Sequence, residues 1–310
     1  MDGMPVAHGK RSTPGAEDRG RPWAQARWLA LVCLAALGLR LAAGRVVERQ
    51  TERRAGAEAR YLFPDSYQFH AYARNLLETG TYVDRQHRRA WRTPAYSALL
   101  AGLYAVAGDA PALARGLTNL LDVLNVLLVF LLARQIFGMG GARLAAAVAA
   151  VYPSFVYFSN LVLADTLGVG AVLLVTLAFV RLSRVCDPDS PDALPSHAVR
   201  AVERRSPRSV TVWAALAGLA LAFAVLVRAA FGLLGVAFVG FLVVRLAAGR
   251  GTPWPPEHHA RPGGVAVPVI AMAFCLGLAP WWIRNARVFS TFVPLSTDRK
   301  STRLNSSHYS

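Results

Sequence analysis

The sequence predicts an all-α, polytopic membrane fold of about seven spans, and three observations predict it. Hydrophobic residues make up 54% of the chain and charged residues only 17%, and the apolar residues fall in long blocks instead of the short alternations of a soluble core. Several blocks reach the roughly 20 residues that a helix needs to cross a bilayer. The chain carries 34 Lys plus Arg against 18 Asp plus Glu, and the basic residues collect between the blocks, which suits anionic lipid headgroups. Nucleic acid is set aside as a partner, because no stacking motif or groove-sized basic helix accompanies the charge. Cys33, Cys186 and Cys275 are scattered and form no disulfide framework or metal spacing.

Residues 1–27 are polar and are expected to be a cytoplasmic N-terminus. The apolar run Trp28 to Val47 is too long for the core of a signal peptide, and Arg40 interrupts the approach to the small residues Ala42-Ala43-Gly44, so it reads as an uncleaved first span. A long loop, Glu48 to Pro111, then carries nine arginines. Within it Asp65-Ser-Tyr-Gln68 reads as an N-cap with a Gln three residues on, Phe69, Tyr72, Leu76 and Leu77 share one helical face, and Gly80 closes the helix. Thr93-Pro94 opens a second helix. The apolar stretch Pro94 to Gly108, about 15 residues long, is too short to cross and predicts a helix lying at the membrane surface.

Six further spans are expected over Ala112 to Ala133, Ala142 to Leu161, Thr166 to Leu182, Val210 to Val227, Phe231 to Leu246 and Val265 to Ile283. Asp165 separates the third span from the fourth and Arg228 the fifth from the sixth. With the N-terminus inside and Pro94 to Gly108 not crossing, the short loops Arg134 to Arg143, Ser183 to Ser209 and Ala247 to Gly264, all arginine-bearing, face the cytoplasm, which satisfies the positive-inside rule. The long arginine-rich loop 48–111 is external and exceeds the loop length to which that rule applies. At the other end, each of the eleven residues Asp298 to His308 resembles one reading frame of a sequencing adapter. Residues 298–310 are therefore expected to be a non-native tail, the membrane module to be 28–297, and a chain ending there to be an inactive fragment lacking downstream spans and a C-terminal domain.

Four positions carry candidate chemistry. Asp65, in the external loop, could take a proton from a hydroxyl, or could simply cap its helix. Asp165 sits where two spans meet, a costly place for an acid that suggests a partner or a substrate, with helix capping again the plain reading. Arg228 and Arg284 could each hold a phosphate at the outer leaflet or could snorkel to headgroups. Trp281 and Trp282 read as an interfacial anchor. His87, His258 and His259 lack partner ligands at useful spacing, and phosphate-loop, G-x-S-x-G and H-E-x-x-H signatures are absent from the sequence.

Taken in order, Phe63-Pro-Asp65-Ser-Tyr67, Asn75-Leu-Leu-Glu-Thr-Gly80, Arg92-Thr-Pro94-Ala-Tyr96, Tyr152-Pro153-Ser-Phe-Val-Tyr157, Leu163-Ala-Asp165 and Pro280-Trp-Trp-Ile-Arg284-Asn285 resemble the GT-C glycosyltransferases of the protein mannosyltransferase and aminoarabinose transferase type, family 39 among them. The resemblance implies inverting sugar transfer from a polyprenyl-phosphate donor to an acceptor lipid, glycan or protein on the outer face of a bacterial inner membrane. It implies catalytic roles for Asp65 and Asp165, and substrate binding by Arg92, Arg228, Arg284 and Tyr67. Metal dependence varies among such enzymes and stays open. Ser66 stands where the family often has Glu, which leaves the subfamily open. A membrane transporter or lipid flippase is the alternative, since it also uses charges among helices, and a non-catalytic scaffold is a third reading; neither accounts as well for the long helical external loop.

Overall fold

The computed structural model describes residues 22–56, 61–186, 207–248 and 262–296. The polar N-terminus, most of the loops 183–209 and 247–264 with His258 and His259, and the tail from Thr297 lie outside the described residues. Helices make up the ordered elements: α1 (Pro22–Ala55), α2 (Pro64–Thr79), α3 (Ala95–Ala107), α4 (Pro111–Val151), α5 (Pro153–Phe158), α6 (Asp165–Cys186), α7 (Pro207–Val227), a 3₁₀ turn (Ala229–Phe231), α8 (Gly232–Ala248) and α9 (Pro262–Phe289). This is the expected all-α membrane architecture. Large apolar side chains such as Leu31 and Leu34 of α1, Leu233 and Val236 of α8 and Leu276 of α9 are exposed, as helices surrounded by lipid require.

Among the described residues five helices are long and apolar enough to cross a bilayer: α1, α4, α6, α7 and α9. The difference from seven has two causes. The 41-residue run α4 holds two of the expected spans, because Gly138 adopts φ 77, ψ −166 inside it, a conformation open to glycine alone. The chain turns back there, so that Ala142, Ala146, Ala149 and Ala150 of the returning limb pack on Val126, Phe130 and Ala133 of the outgoing one. That limb continues past Pro153 through α5. The sixth expected span, α8, has 17 residues, a rise of about 25 Å that falls short of the hydrocarbon thickness of about 30 Å.

α7 lies between α6 and α9, α6 packs on α4, and α4 on α1. The α7–α9 contact is closest at Gly218, where an added Cβ would strike the Ile270 carbonyl oxygen and come within 2.8 Å of the Ala273 Cβ. Close backbone approach at small residues is the usual source of helix association in lipid. α2 and α3 pack together across one end of this bundle, and Phe69, Tyr96, Leu100 and Tyr104 belong to the same core as Leu167, Leu182, Val210 and Leu221. At 13 residues α3 rises only about 20 Å and does not match the thickness of a bilayer, as expected for Pro94 to Gly108. On α2, Phe69 and Tyr72 are buried while Leu77 is exposed. Gly80 closes the helix as expected, with φ 68 and its N–H donated to the Leu76 carbonyl.

The ends of the bundle segregate. The end of α1 meets the start of α4 through Glu48 and Arg115 at 2.6 Å, on the side of α2 and α3. At the far end Arg181 and Arg184 of α6 bond the Gln135 side chain and carbonyl beside the Gly138 turn. A cysteine at Gly140, an exposed position with nothing within 4 Å of a new Cβ, is therefore expected to resist an impermeant thiol reagent in intact cells once Cys33, Cys186 and Cys275 are replaced. One at exposed Thr81 is expected to react. The reverse pattern would turn the bundle over and move Asp165 to the cytoplasmic side.

Candidate functional site

The first turn of α2 corrects one sequence reading. Phe63, extended at φ −117 and ψ 142, is the N-cap residue, makes no side-chain cap bond, and is followed by Pro64 at the first helical position. Proline suits that position because it lacks an N–H and has the right φ, so the helix begins one residue before Asp65. Asp65 is consequently not the cap. Its carboxylate lies 2.7 Å from Arg92 Nη2, while Arg92 Nε donates to Gln68 Oε1 at 3.1 Å. The Arg92 guanidinium also stands 5.6 Å from the centre of the Phe69 ring. Gln68, read as the capping partner, holds Arg92 instead.

The second acidic candidate has a matching arrangement. Asp165 is the first residue of α6, and Arg228 Nη2 donates to its Oδ1 at 2.8 Å. Arg228 sits in extended backbone, φ −147 and ψ 124, between α7 and the 3₁₀ turn, which directs the side chain back to α6. The two pairs are tied together through their neighbours, since Thr93 Oγ1, next to Arg92, donates to the carbonyl oxygen of Val227, next to Arg228, at 2.8 Å. Thr93 is buried, so this bond is shielded from competing water. All four charged side chains remain partly open, at 49% and 33% exposure for Asp65 and Arg92 and 31% and 50% for Asp165 and Arg228.

Tyr82 extends the cluster to Arg284. The Tyr82 hydroxyl donates to the carbonyl oxygens of Arg92 at 3.2 Å and Thr93 at 3.1 Å. Its own carbonyl oxygen accepts from Arg284 Nη2 at 2.9 Å. Burial, followed by the neighbouring Tyr72, pushes the Tyr82 phenol well above its ordinary range, so it stays a donor. Tyr72 stacks on Tyr82 at 4.2 Å between centroids and donates to the Arg88 carbonyl at 2.9 Å. Its pKa is pushed up to about 12 by burial first and by the Asp84 charge second. Arg284 also donates to Asn285 Oδ1 at 2.9 Å and lies over the Trp281 and Tyr82 rings, at 5.0 and 5.6 Å. Trp281 is buried and does not anchor the helix in the interface. Its indole N–H and that of Trp282 donate to the carbonyls of Leu295 and Pro294 and so fold residues 290–296 back onto α9.

Tyr67, the remaining candidate, meets the Tyr61 ring edge-on at 5.3 Å and lines a cleft of about 580 Å³ with Gln68. Asp65, Arg92, Asp165, Arg228 and Arg284 do not line that cleft, although Pro64, next to Asp65, does. Among the described residues no group of three or more His, Cys, Asp or Glu side chains gathers where it could hold a metal ion. What the cluster offers is two carboxylates able to accept protons and three guanidiniums shaped for phosphate oxygens. Sequence reasoning missed Tyr82, which leaves no motif of its own, and read Thr93 only as a helix start within Arg92-Thr-Pro94, not as the residue that joins the two pairs. It also missed the pair inside the bundle, Arg40 and Asp122 at 2.6 Å, both buried, although Asp122 is visible as a lone acid within an apolar block.

Residues 91–189 match the model of the dolichyl-phosphate-mannose-protein mannosyltransferase family. That match supports a membrane glycosyltransferase of the GT-C type, in line with the resemblance in the sequence. The matched stretch contains Arg92 and Asp165 and ends before Arg228. No curated protein matches the chain.

Proposed function

We propose that the chain forms the outer-face site of an inverting glycosyltransferase that uses a polyprenyl-phosphate sugar. The observation that carries this reading is the joining of Asp65–Arg92 and Asp165–Arg228 at one end of the bundle by the Thr93–Val227 hydrogen bond. In the proposed reaction an acceptor hydroxyl oxygen bonds to the anomeric carbon, the bond from that carbon to the phosphate oxygen breaks, and the hydroxyl proton passes to Asp65. Polyprenyl phosphate leaves with one more negative charge than it had as a diester. Arg92, Arg228 and Arg284 stabilise that charge where it develops, and Asp165 orients Arg228 until the phosphate takes its place. The acceptor is a lipid, glycan or protein at a bacterial inner-membrane surface. The metal question stays open, and transfer measured with a chelator and with an added divalent ion decides it.

Arg228→Gln tests the donor side. Losing one charge-assisted hydrogen bond, roughly 1.5 to 3 kcal/mol, is expected to weaken binding of polyprenyl monophosphate by about tenfold to a hundredfold in nanodiscs. Unchanged donor binding and unchanged transfer would remove Arg228 from the site. The transport alternative retains one observation, the buried Arg40–Asp122 pair, but every nitrogen of Arg40 is already engaged, by Asp122 and by the Ala36, Ala149 and Ala150 carbonyls. Lipid movement across vesicles without sugar transfer would favour it.

A further inference from the structure

The cleft lined by Pro64, Tyr67 and Gln68 of α2, on the helix that carries Asp65, has a composition that the reaction above does not use. One wall is aromatic: Tyr61 is buried and fixed by its hydroxyl, 3.2 Å from His70 Nδ1 and 3.3 Å from the Tyr104 hydroxyl, and the Tyr67 ring stands perpendicular to it. The facing wall is the turn Asp84–Arg88. Asp84 is buried there and accepts from the backbone N–H groups of Gln86 and Arg88, both at 2.9 Å, and from Arg88 Nε at 2.7 Å. That neutralises Arg88 and fixes the turn that carries Arg85 and Gln86 to the cleft. Of the two arginines in the cleft lining, Arg88 is paired with Asp84 and Arg85 is the one not held by a carboxylate. It is exposed and has no carboxylate partner among the described residues.

Gln68 connects this cleft to the catalytic candidate. Its Oε1 is taken by Arg92, which holds Asp65, and its amide N–H groups, with those of Gln86, remain able to donate to a ligand. We infer that the cleft is the acceptor subsite and that it takes an anionic sugar, with the ring against Tyr61 and Tyr67, hydroxyls on Gln68 and Gln86, and a phosphate or carboxylate on Arg85. The size fits, since sites of roughly 300–1,000 Å³ enclose small molecules. An anion on an otherwise unpaired guanidinium is the contact that gives such a site its selectivity. This inference rests on the glycosyltransferase reading for the word acceptor, while the binding it describes stands apart from transfer.

Its test is accordingly a binding measurement on the full chain in nanodiscs, by titration calorimetry, with no donor present. The probes are glucose 1-phosphate, glucuronate, glucose and inorganic phosphate. Glucose 1-phosphate or glucuronate, whichever charge the site prefers, is expected to bind at least about tenfold more tightly than glucose. Arg85→Gln is expected to abolish that preference, a loss of about tenfold for one charge-assisted hydrogen bond. Tyr67→Ala is expected to weaken the preferred anionic sugar and to leave inorganic phosphate unchanged. Equal binding of glucose and both anionic sugars overturns the proposal. So does an anionic preference untouched by Arg85→Gln, or inorganic phosphate binding as tightly as the preferred sugar, which marks a simple anion site. Failure here leaves the transfer reading to Asp65 and Arg228, whereas binding that survives while the intact gene product transfers no sugar overturns the other reading alone.

Discussion

Replacing Asp65 with Asn is expected to lower sugar transfer by a factor of about 10² to 10⁴, the range for loss of a general base, while the protein still folds and inserts. Asn keeps the size and the hydrogen-bonding oxygen but cannot accept a proton at neutral pH. The stability cost is small for two reasons. Asp65 is not the cap of α2, so the roughly 0.5 to 2 kcal/mol carried by a capping side chain is not at stake. Its ion pair with Arg92 is also half open to solvent, and such pairs contribute about 1 kcal/mol or less. The measurement is turnover of a polyprenyl-phosphate sugar in membranes containing the intact gene product, alongside thermal unfolding of the same preparation. A variant that transfers at nearly the normal rate would end the case for Asp65 as base and move it to Asp165.

The largest effect on stability is expected inside the bundle. Asp122→Leu leaves Arg40, which is 0% exposed, as an uncompensated buried charge, and breaking a buried pair in this way typically costs about 3 to 5 kcal/mol. The double variant Arg40→Leu, Asp122→Leu is expected to recover most of that loss, because burying neither charge is often as good as burying both. Thermal unfolding in detergent measures both. An Asp122→Leu variant that unfolds no earlier than the parent would show that Arg40 reaches water and that the pair does not hold α1 to α4. A smaller effect on the site is expected as well, since Asn125 Nδ2 reaches Asp122 Oδ1 at 3.4 Å and the Thr166 carbonyl at 2.9 Å. That contact steadies the residue after Asp165.

Sequence and structure agree where interactions are local or set by the solvent. Most apolar blocks of spanning length, the helix at Pro94 to Gly108 too short to cross, the stop at Gly80 and the breaks at Asp165 and Arg228 were legible, because each depends on a few consecutive residues meeting lipid or water. The sixth block, α8, falls short of spanning length. Two local details misled. The Asp-x-x-Gln pattern suggested a cap, yet Pro64 claims the first helical position and shifts the start. The turn at Gly138 falls inside the expected loop Arg134 to Arg143, but the block Ala142 to Leu161, read as one span, breaks at Tyr152 before Pro153.

The tertiary structure alone decided the partners. By itself the sequence determined that the chain is a helical membrane protein, that Asp165, Arg228 and Arg284 lie at the edges of apolar blocks and Asp65 in the long loop between two of them, and which family it resembles. It did not determine that Asp65 faces Arg92, that Asp165 faces Arg228, or that Arg40 faces Asp122. Each pair joins residues far apart in the chain, and charges in a membrane bundle are driven to find one another by the cost of leaving them unpaired in a medium of low dielectric. That cost makes a partner necessary for the buried Arg40, whereas the half-exposed pairs of the site are set by packing. Which partners they are depends on how α4, α6, α7 and the loop before α3 pack, and on one buried hydrogen bond, from Thr93 to Val227, that no motif announces.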